Sequence, residues 1–431
     1  MRALAIAAAC LTLAAGVRAA GLAPADAVEL APAKDALQRF PHAAFGSGKF
    51  LVVWQDGWNG DGGKSDIRGA FLAGGAPAKS FAVTGDAFVQ ERPALAASKD
   101  AFLVAWQDWR GGKDADIYAA RVSAEGKVLD AEGIAIATGA GTQCNPTVAS
   151  DGEGFIVAWQ GIAGEGAYGV RAVRVGADGA VKDAKPLALG TGGTPAAAFG
   201  EGKYLVVWTT DPAARTTTVQ GSLIPPGGAA GAAFPVMKIC TLAPSVAAGT
   251  KGFVVVATSR PYPSPWGWGG PAGVVGARVT FAGGAPDAGV SYDYYHKGLS
   301  ARSRPNILDS SRWKRKGGAW PAGQVGGFGG TENDQWPHYF SAIAPHGDGF
   351  VSVWVRRKIR NRWMLHDADL YGSRVSTDPW RVPEQGGVEI SAGERNEGFP
   401  CLASGGGKIL LVYEAVTDNG VQAMARFLKA E

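Results

Sequence analysis

Cysteine is scarce, with four residues in 431, and the three that follow the N-terminal leader (Cys144, Cys240 and Cys401) are odd in number and far apart. That spacing gives no disulfide framework, and buried thiols are the expected state. Paired C-x-x-C, G-x-S-x-G and P-loop motifs are all missing, so metal-cluster, serine-hydrolase and nucleotide chemistries lose their usual sequence support. After the leader no apolar run approaches the ~18 residues of a membrane span. No long segment there has helical periodicity either. A membrane span and an α-rich fold are therefore not expected.

The leader itself has Arg2, an apolar stretch over 3–15 and small residues near Ala19. That is the pattern of a signal peptide over 1–19, and it implies a secreted or periplasmic protein.

What the chain has in abundance is one phrase. A short apolar strand ending in Trp or a substitute returns seven times, ending at Trp54, Trp106, Trp159, Trp208, Ala257, Trp354 and Tyr413. Thirteen residues before most of these endings stands a proline (Pro41, Pro93, Pro146, Pro195, Pro244, Pro400), with Ser341 in its place in the sixth unit. A period of about 50 residues accommodates four short strands and is too long for leucine-rich or ankyrin repeats. In the second unit the strands are expected over 93–97, 102–106, 116–122 and 133–137, separated by Gly and charged residues. The fold class is all-β, a seven-bladed β-propeller spanning 27–431.

The seventh unit lacks a fourth strand, and the start of the chain supplies one. Val28-Glu29-Leu30 followed by Phe40-Pro41 matches Val388-Glu389-Ile390 followed by Phe399-Pro400. The N-terminal strand is therefore expected to complete the last blade and to remove an open seam.

Functional-looking residues are unevenly spread. Of fourteen tryptophans, five occupy the repeat position and are core, whereas Trp58, Trp109, Trp266, Trp268, Trp313, Trp320, Trp336 and Trp363 fall in connections that emerge at one end. Residues 294–340 form an insertion between blades 5 and 6, with seven basic residues (Lys297, Arg302, Arg304, Arg312, Lys314, Arg315, Lys316) against three acidic ones. The second-to-third-strand loop of blade 6 adds Arg356, Arg357, Lys358, Arg360 and Arg362. Aromatic faces stack on sugars and guanidinium forks grip carboxylates or sulfates. The expected ligand is an anionic carbohydrate, held by Trp266, Trp268, Arg304, Trp313, Arg315, Trp320, Trp336, Arg356, Arg357, Arg360 and Trp363. With a net charge of only +4 in an exported chain, nucleic acid is not an expected partner. A monomer is expected.

Two other classes stay open. A lyase acting on uronic-acid glycans needs positive groups, a base and an acid, and Tyr294, Tyr295, His296, Arg302 and His338 have those residue types. A protein-binding scaffold would use the Trp-rich end as a broad apolar patch. No cofactor is expected. Oxygen ligands at Asp56, Asn59 and Asp61 have calcium-like character but lack the Asp-x-Asp-x-Asp-Gly order and a closing Glu. His42 and Cys401 hold matching places in adjacent blades, yet two ligands do not make a zinc site. Repeated Asp residues (Asp56, Asp66, Asp108, Asp116, Asp369) are expected to brace turns, with strand arginines such as Arg121 and Arg174 as their partners.

The run 102–110 (FLVAWQDWR), followed by Asp116-Ile117-Tyr118 and Arg121-Val122, resembles repeats of exported bacterial β-propeller proteins over nearly all the chain outside the insertion. The plan is also similar to that of seven-bladed polysaccharide lyases. These resemblances imply fold and export, not activity.

Overall fold

The computed structural model describes residues 21–57, 64–73, 75–85, 88–163, 167–210, 218–237, 243–258, 274–281, 287–292, 341–358, 367–377, 380–381, 387–391 and 396–430. Every regular element among them is a β-strand. Unit 2 illustrates the plan, with antiparallel strands Gln90–Ala97, Phe102–Asp108, Asp116–Val122 and Ile134–Ala137 in one sheet. The second strand is buried at every position, because a neighbouring unit covers each face. Its composition is therefore continuous Phe, Leu, Val and Trp rather than alternating.

The core lies between units rather than within them. Among the described residues seven apolar clusters form, each joining two consecutive units, and one of them joins unit 7 to unit 1. Trp54, Trp106, Trp159 and Trp208 are almost wholly buried in these layers. Gly133 explains how the Trp106 indole fits under the fourth strand: its φ is +75°, and a Cβ there would lie 3.4 Å from the ring. Only glycine meets both conditions without strain.

The sheets are not joined in a circle by hydrogen bonds. Their first strands do pack in succession: Ala36–Gly46 on Gln90–Ala97, then Thr142–Ser150, Gly193–Gly200, Ser245–Gly249, Ser341–His346, Glu397–Gly405 and back to Ala36–Gly46. The two chain ends meet as the repeat register requires. Leu22–Pro24 and Val28–Glu29 pair antiparallel with the last strand, Gly420–Ala430, with Val28 opposite Ala425. A two-residue parallel pairing of Ala36 and Leu37 with Gly420 and Val421 merges units 7 and 1 into one ten-stranded sheet.

One expectation needs correction. In unit 1 the third-strand Arg68 does approach Asp56 (3.6 Å), but Arg121 and Arg174 do not brace such turns. Arg121 forms a fork with Asp130 (2.7 and 2.8 Å), and Arg174 pairs with Asp183. Register is the reason: Asp116 and Asp108 are cross-strand partners at one end of the sheet, and Arg121 lies five residues on, about 17 Å away along an extended strand. The buried Asp108 instead holds Arg110 (2.7 and 2.9 Å) and the Trp106 indole N–H (2.8 Å).

Candidate functional site

The first strand of each unit carries the feature that builds the site. In units 1, 2, 3, 4 and 7 its register slips by one residue, so that a residue and the following proline together oppose the repeat Trp or Tyr. Phe40-Pro41 faces Trp54, Arg92-Pro93 faces Trp106, and Asn145-Pro146 faces Trp159. The residues before proline (Phe40, Arg92, Asn145, Thr194 and Phe399) all have φ between +49° and +52°. A non-glycine residue there is strained by about 1–2 kcal/mol. Proline lacks an N–H and so loses no ladder bond at the bulge. The bulge is thus the physical content of the thirteen-residue Pro-to-Trp spacing. In unit 6, where serine replaces proline, Ser341 pairs directly with Trp354.

In three of the bulges the freed N–H is taken up by the preceding unit. Phe40 N donates to Glu414 Oε1 (2.6 Å), Asn145 N to Gln107 Oε1 (2.8 Å) and Thr194 N to Gln160 Oε1 (3.1 Å). All three acceptors directly follow the repeat Trp or Tyr. Gln55, at the matching place in unit 1, is buried without such a bond.

Around the first of these links the described side chains converge. The Arg92 guanidinium lies 4.5 Å and that of Arg39 5.1 Å from the Phe40 ring centroid, and Phe399 meets the same ring edge-on at 4.6 Å. Behind them Glu414, with a side chain only 2% exposed, approaches Arg39 at 3.7 Å. Burial pushes the Glu414 carboxyl up to about 7, against the pull of Arg39 and the Phe40 N–H. Arg92 is exposed, yet the surrounding protein desolvates it enough to lower its pKa against the pull of Glu91. Glu91 is fixed next to it by the Gln107 amide and the Trp109 indole, each at 2.9 Å. That bond also brings the loop after the second strand beside the start of the first, as the alternation of strand directions requires.

No family model and no curated protein matches the sequence. Among solved structures, the chain is similar to the hemagglutinin-neuraminidase ectodomain of parainfluenza virus 5, with 7% identity, a TM-score of 0.51, and coverage of 95% of this chain and 87% of that one. It also matches a Trypanosoma rangeli sialidase mutant displaying trans-sialidase activity (11% identity, TM-score 0.47, 95% and 60% coverage). A third match is a thermostable family-43 glycoside hydrolase (10%, 0.36, 64% and 97%). The chain spans 53 to 60% of the length of the trypanosomal sialidases it matches. At these identities the likeness concerns fold alone, and a propeller-like, all-β architecture fits it.

Most residues expected to form the site lie outside the described residues. These are Tyr294, Tyr295, His296, Arg302, Arg304, Trp313, Arg315, Trp320, Trp336 and His338 of the insertion, with Trp266, Trp268, Arg360, Trp363, Asn59 and Asp61. Arg356 and Arg357 are described only as backbone, in strand Gly349–Lys358 opposite Asp369 and Ala368. Among the described residues no three His, Cys, Asp or Glu side chains gather as metal ligands, and no helix is long and apolar enough to cross a membrane. His42 and Cys401 hold matching places on the adjacent first strands of units 1 and 7, near enough for each to shift the other's titration. Arg39, Phe40, Arg92, Phe399 and Glu414 escaped the sequence reading. For Phe40, Arg92 and Phe399 the signal lay in the position before the repeat proline, which changes chemistry from unit to unit while the proline stays.

Proposed function

We propose that this protein is an exported, monomeric, seven-bladed β-propeller that binds an anionic polysaccharide. Residues 1–19 are its signal peptide, and the ligand lies at the end of the ring where the first strands begin. The observation that carries this reading is the convergence of Arg39 and Arg92, from adjacent units, on Phe40. Arg39 faces Glu414, whereas the exposed Arg92 guanidinium, stacked on the ring, has the fork geometry that grips a carboxylate or sulfate with two parallel bonds. The ring of first-strand contacts and the seven inter-unit clusters support closure. In this reading the basic and Trp-rich loops of units 5 and 6, and the insertion at 294–340, belong to this same end. They extend the binding face beyond Arg92. Carbohydrate-processing enzymes among the fold neighbours are consistent with a glycan ligand.

The test is binding of uronic-acid polysaccharides to the protein, with absorbance of unsaturated product followed in the same samples. Binding without product, weakened about tenfold or more by Arg92→Ala or by the pair Arg356→Ala and Arg357→Ala, is the expected result. Loss of one to two charge-assisted contacts corresponds to about 1.5–3 kcal/mol. Product that vanishes with His296→Ala or Tyr295→Phe would replace the binding reading with a lyase. No binding to any charged polymer would leave the protein scaffold as the reading.

A further inference from the structure

The carboxyl of Glu414 stands behind the two guanidinium groups at Phe40, and its oxygens are served unequally. Oε1 accepts the Phe40 N–H (2.6 Å), whereas Oε2 is buried without a hydrogen bond, with Arg39 Nε 3.7 Å away. The matching places in units 1, 2 and 3 hold glutamines, Gln55, Gln107 and Gln160. An amide accepts a bulge N–H as well as a carboxylate does, as Gln107 and Gln160 show. The backbone link therefore does not require an acid. What the acid adds is a charge, and the cation beside that charge is Arg39.

Arg39 and Arg92 approach the same ring from adjacent first strands, 5.1 and 4.5 Å from the Phe40 centroid. Their neighbours differ. Arg92 is exposed, while Arg39, with 17% of its side chain exposed, has the Glu414 carboxyl against it. When that carboxyl is ionised its charge offsets that of Arg39, and an anion held at the ring meets one uncompensated cation. When it carries a proton, the anion meets two.

We propose that Glu414 is a proton-operated control on the anion site: protonation of its carboxyl releases the charge of Arg39 to the ligand, so that an acidic glycan binds more tightly as the surroundings acidify. This control rests on the reading that Arg92 and its neighbours hold an anionic polymer. The step transfers one proton from solvent to the carboxyl, and no covalent bond of the ligand changes. Linkage makes the effect reciprocal, since a bound anion favours the protonated carboxyl by the same factor.

The position of the titration agrees with the geometry. A carboxylate sealed from water with one oxygen lacking a hydrogen bond is poorly solvated, which disfavours its charged form. Burial pushes Glu414 up to about 7, against the pull of Arg39, the Phe40 N–H and Arg92. It is therefore protonated below about 7, where Arg39 is released, and ionised above, where Arg39 is offset. Other charged or titratable groups on the surrounding strands are His42 beside Arg39, Glu91 beside Arg92, Glu397 and Cys401 on the first strand of unit 7, Lys408 on the strand of Glu414 itself, and Arg426 and Lys429 on the last strand. Arg39 and Arg92 are the cations that act most strongly on Glu414; Arg426 acts on Glu397 instead.

The experiment is to measure binding of dextran sulfate, whose sulfates stay ionised throughout, to the whole chain from about pH 5 to about pH 8.5, a range that spans this titration. Affinity at the acid end is expected to be at least about fivefold higher than at the alkaline end, the lower bound of ordinary coupling between two sites. Glu414→Gln keeps an acceptor for the Phe40 N–H and should bind at every pH as tightly as the unsubstituted protein does at the acid end. Arg39→Gln should bind at every pH as weakly as the unsubstituted protein does at the alkaline end. The two variants flatten the profile at opposite levels, so either decides the matter should the other not fold. A flat profile in the unsubstituted protein, or an equally steep one in Glu414→Gln or Arg39→Gln, would overturn the control by Glu414 while leaving the binding reading intact. Absence of binding at every pH would overturn both.

Discussion

Glu414 shows how one atom exchanged within a repeat changes the energetics. Units 1, 2 and 3 put glutamine directly after the repeat Trp (Gln55, Gln107, Gln160), where an uncharged amide can accept a bulge N–H at little cost. Unit 7 puts a carboxyl there, nearly sealed from water, and burial raises it to about 7 from an ordinary 4.5. An acid whose folded pKa is raised holds its proton longer in the native state than in the unfolded one. Stability is therefore full below about 4.5 and is lost as pH rises toward 7. The shift corresponds to roughly 3 kcal/mol. Glu414→Gln keeps the acceptor for Phe40 N–H and should stabilise the protein at pH 8 while changing it little at pH 5. Thermal unfolding across that range checks this, and a pH dependence unchanged in the variant would refute it. Glu397, which burial pushes up to about 8, is expected to keep the remaining slope in the same direction.

At the scale of the element, the bulge and the glutamine that answers it act as one device. Gln160 accepts from Thr194 N (3.1 Å) and from Asn145 Nδ2 (3.2 Å), tying unit 3 to unit 4 while supporting its own first strand. Gln160→Leu removes the acceptor and leaves a half-buried N–H without this partner, which costs about 1 kcal/mol. Chemical denaturation should show a lower midpoint by that amount. A change below about 0.5 kcal/mol would mean that water replaces the amide and that the link is not structural.

Much of this level was legible in the sequence. The strand Asp116–Val122 has the expected bounds, because its alternation is clean. The first strand begins at Gln90 instead of Pro93, because Gln90, Glu91 and Arg92 read as polar connection when a bulge is not anticipated. The arginine partners were missed for a related reason: spacing along the chain does not tell which end of a strand a side chain occupies until register is known. The proximity of His42 and Cys401 was legible because both are counted from the same proline. Arg39 and Arg92 were not, since no unit repeats them.

At the scale of the whole molecule, the N-terminal strands join the first unit to the last strand, Gly420–Ala430. Gly420–Ala430 is the third strand of its unit, and among the described residues its outer edge is paired by Leu22–Pro24, Val28–Glu29 and, over two residues, Ala36 and Leu37. Leu22 and Leu30, 3% and 2% exposed, belong to the clusters between units 6 and 7 and between units 7 and 1. Burying two leucines contributes about 3–6 kcal/mol, and Leu30 lies at the junction of units 7 and 1, which are not consecutive in the chain. A chain that starts at Pro32 should therefore lose stability by about that amount. The loss should also be local at first: amide exchange should accelerate in 420–430 before it does in 102–108, whose units remain linked in sequence. Adding a peptide of residues 21–31 should slow that exchange again, because the docking surface on the last strand is left intact. Uniform acceleration across both segments would instead indicate that the N-terminal strands stabilise the fold only as a whole. Exchange in 420–430 that stays unchanged in the shortened chain would show that the last strand needs no partner, and the ring would then be held by the packing of its first strands alone.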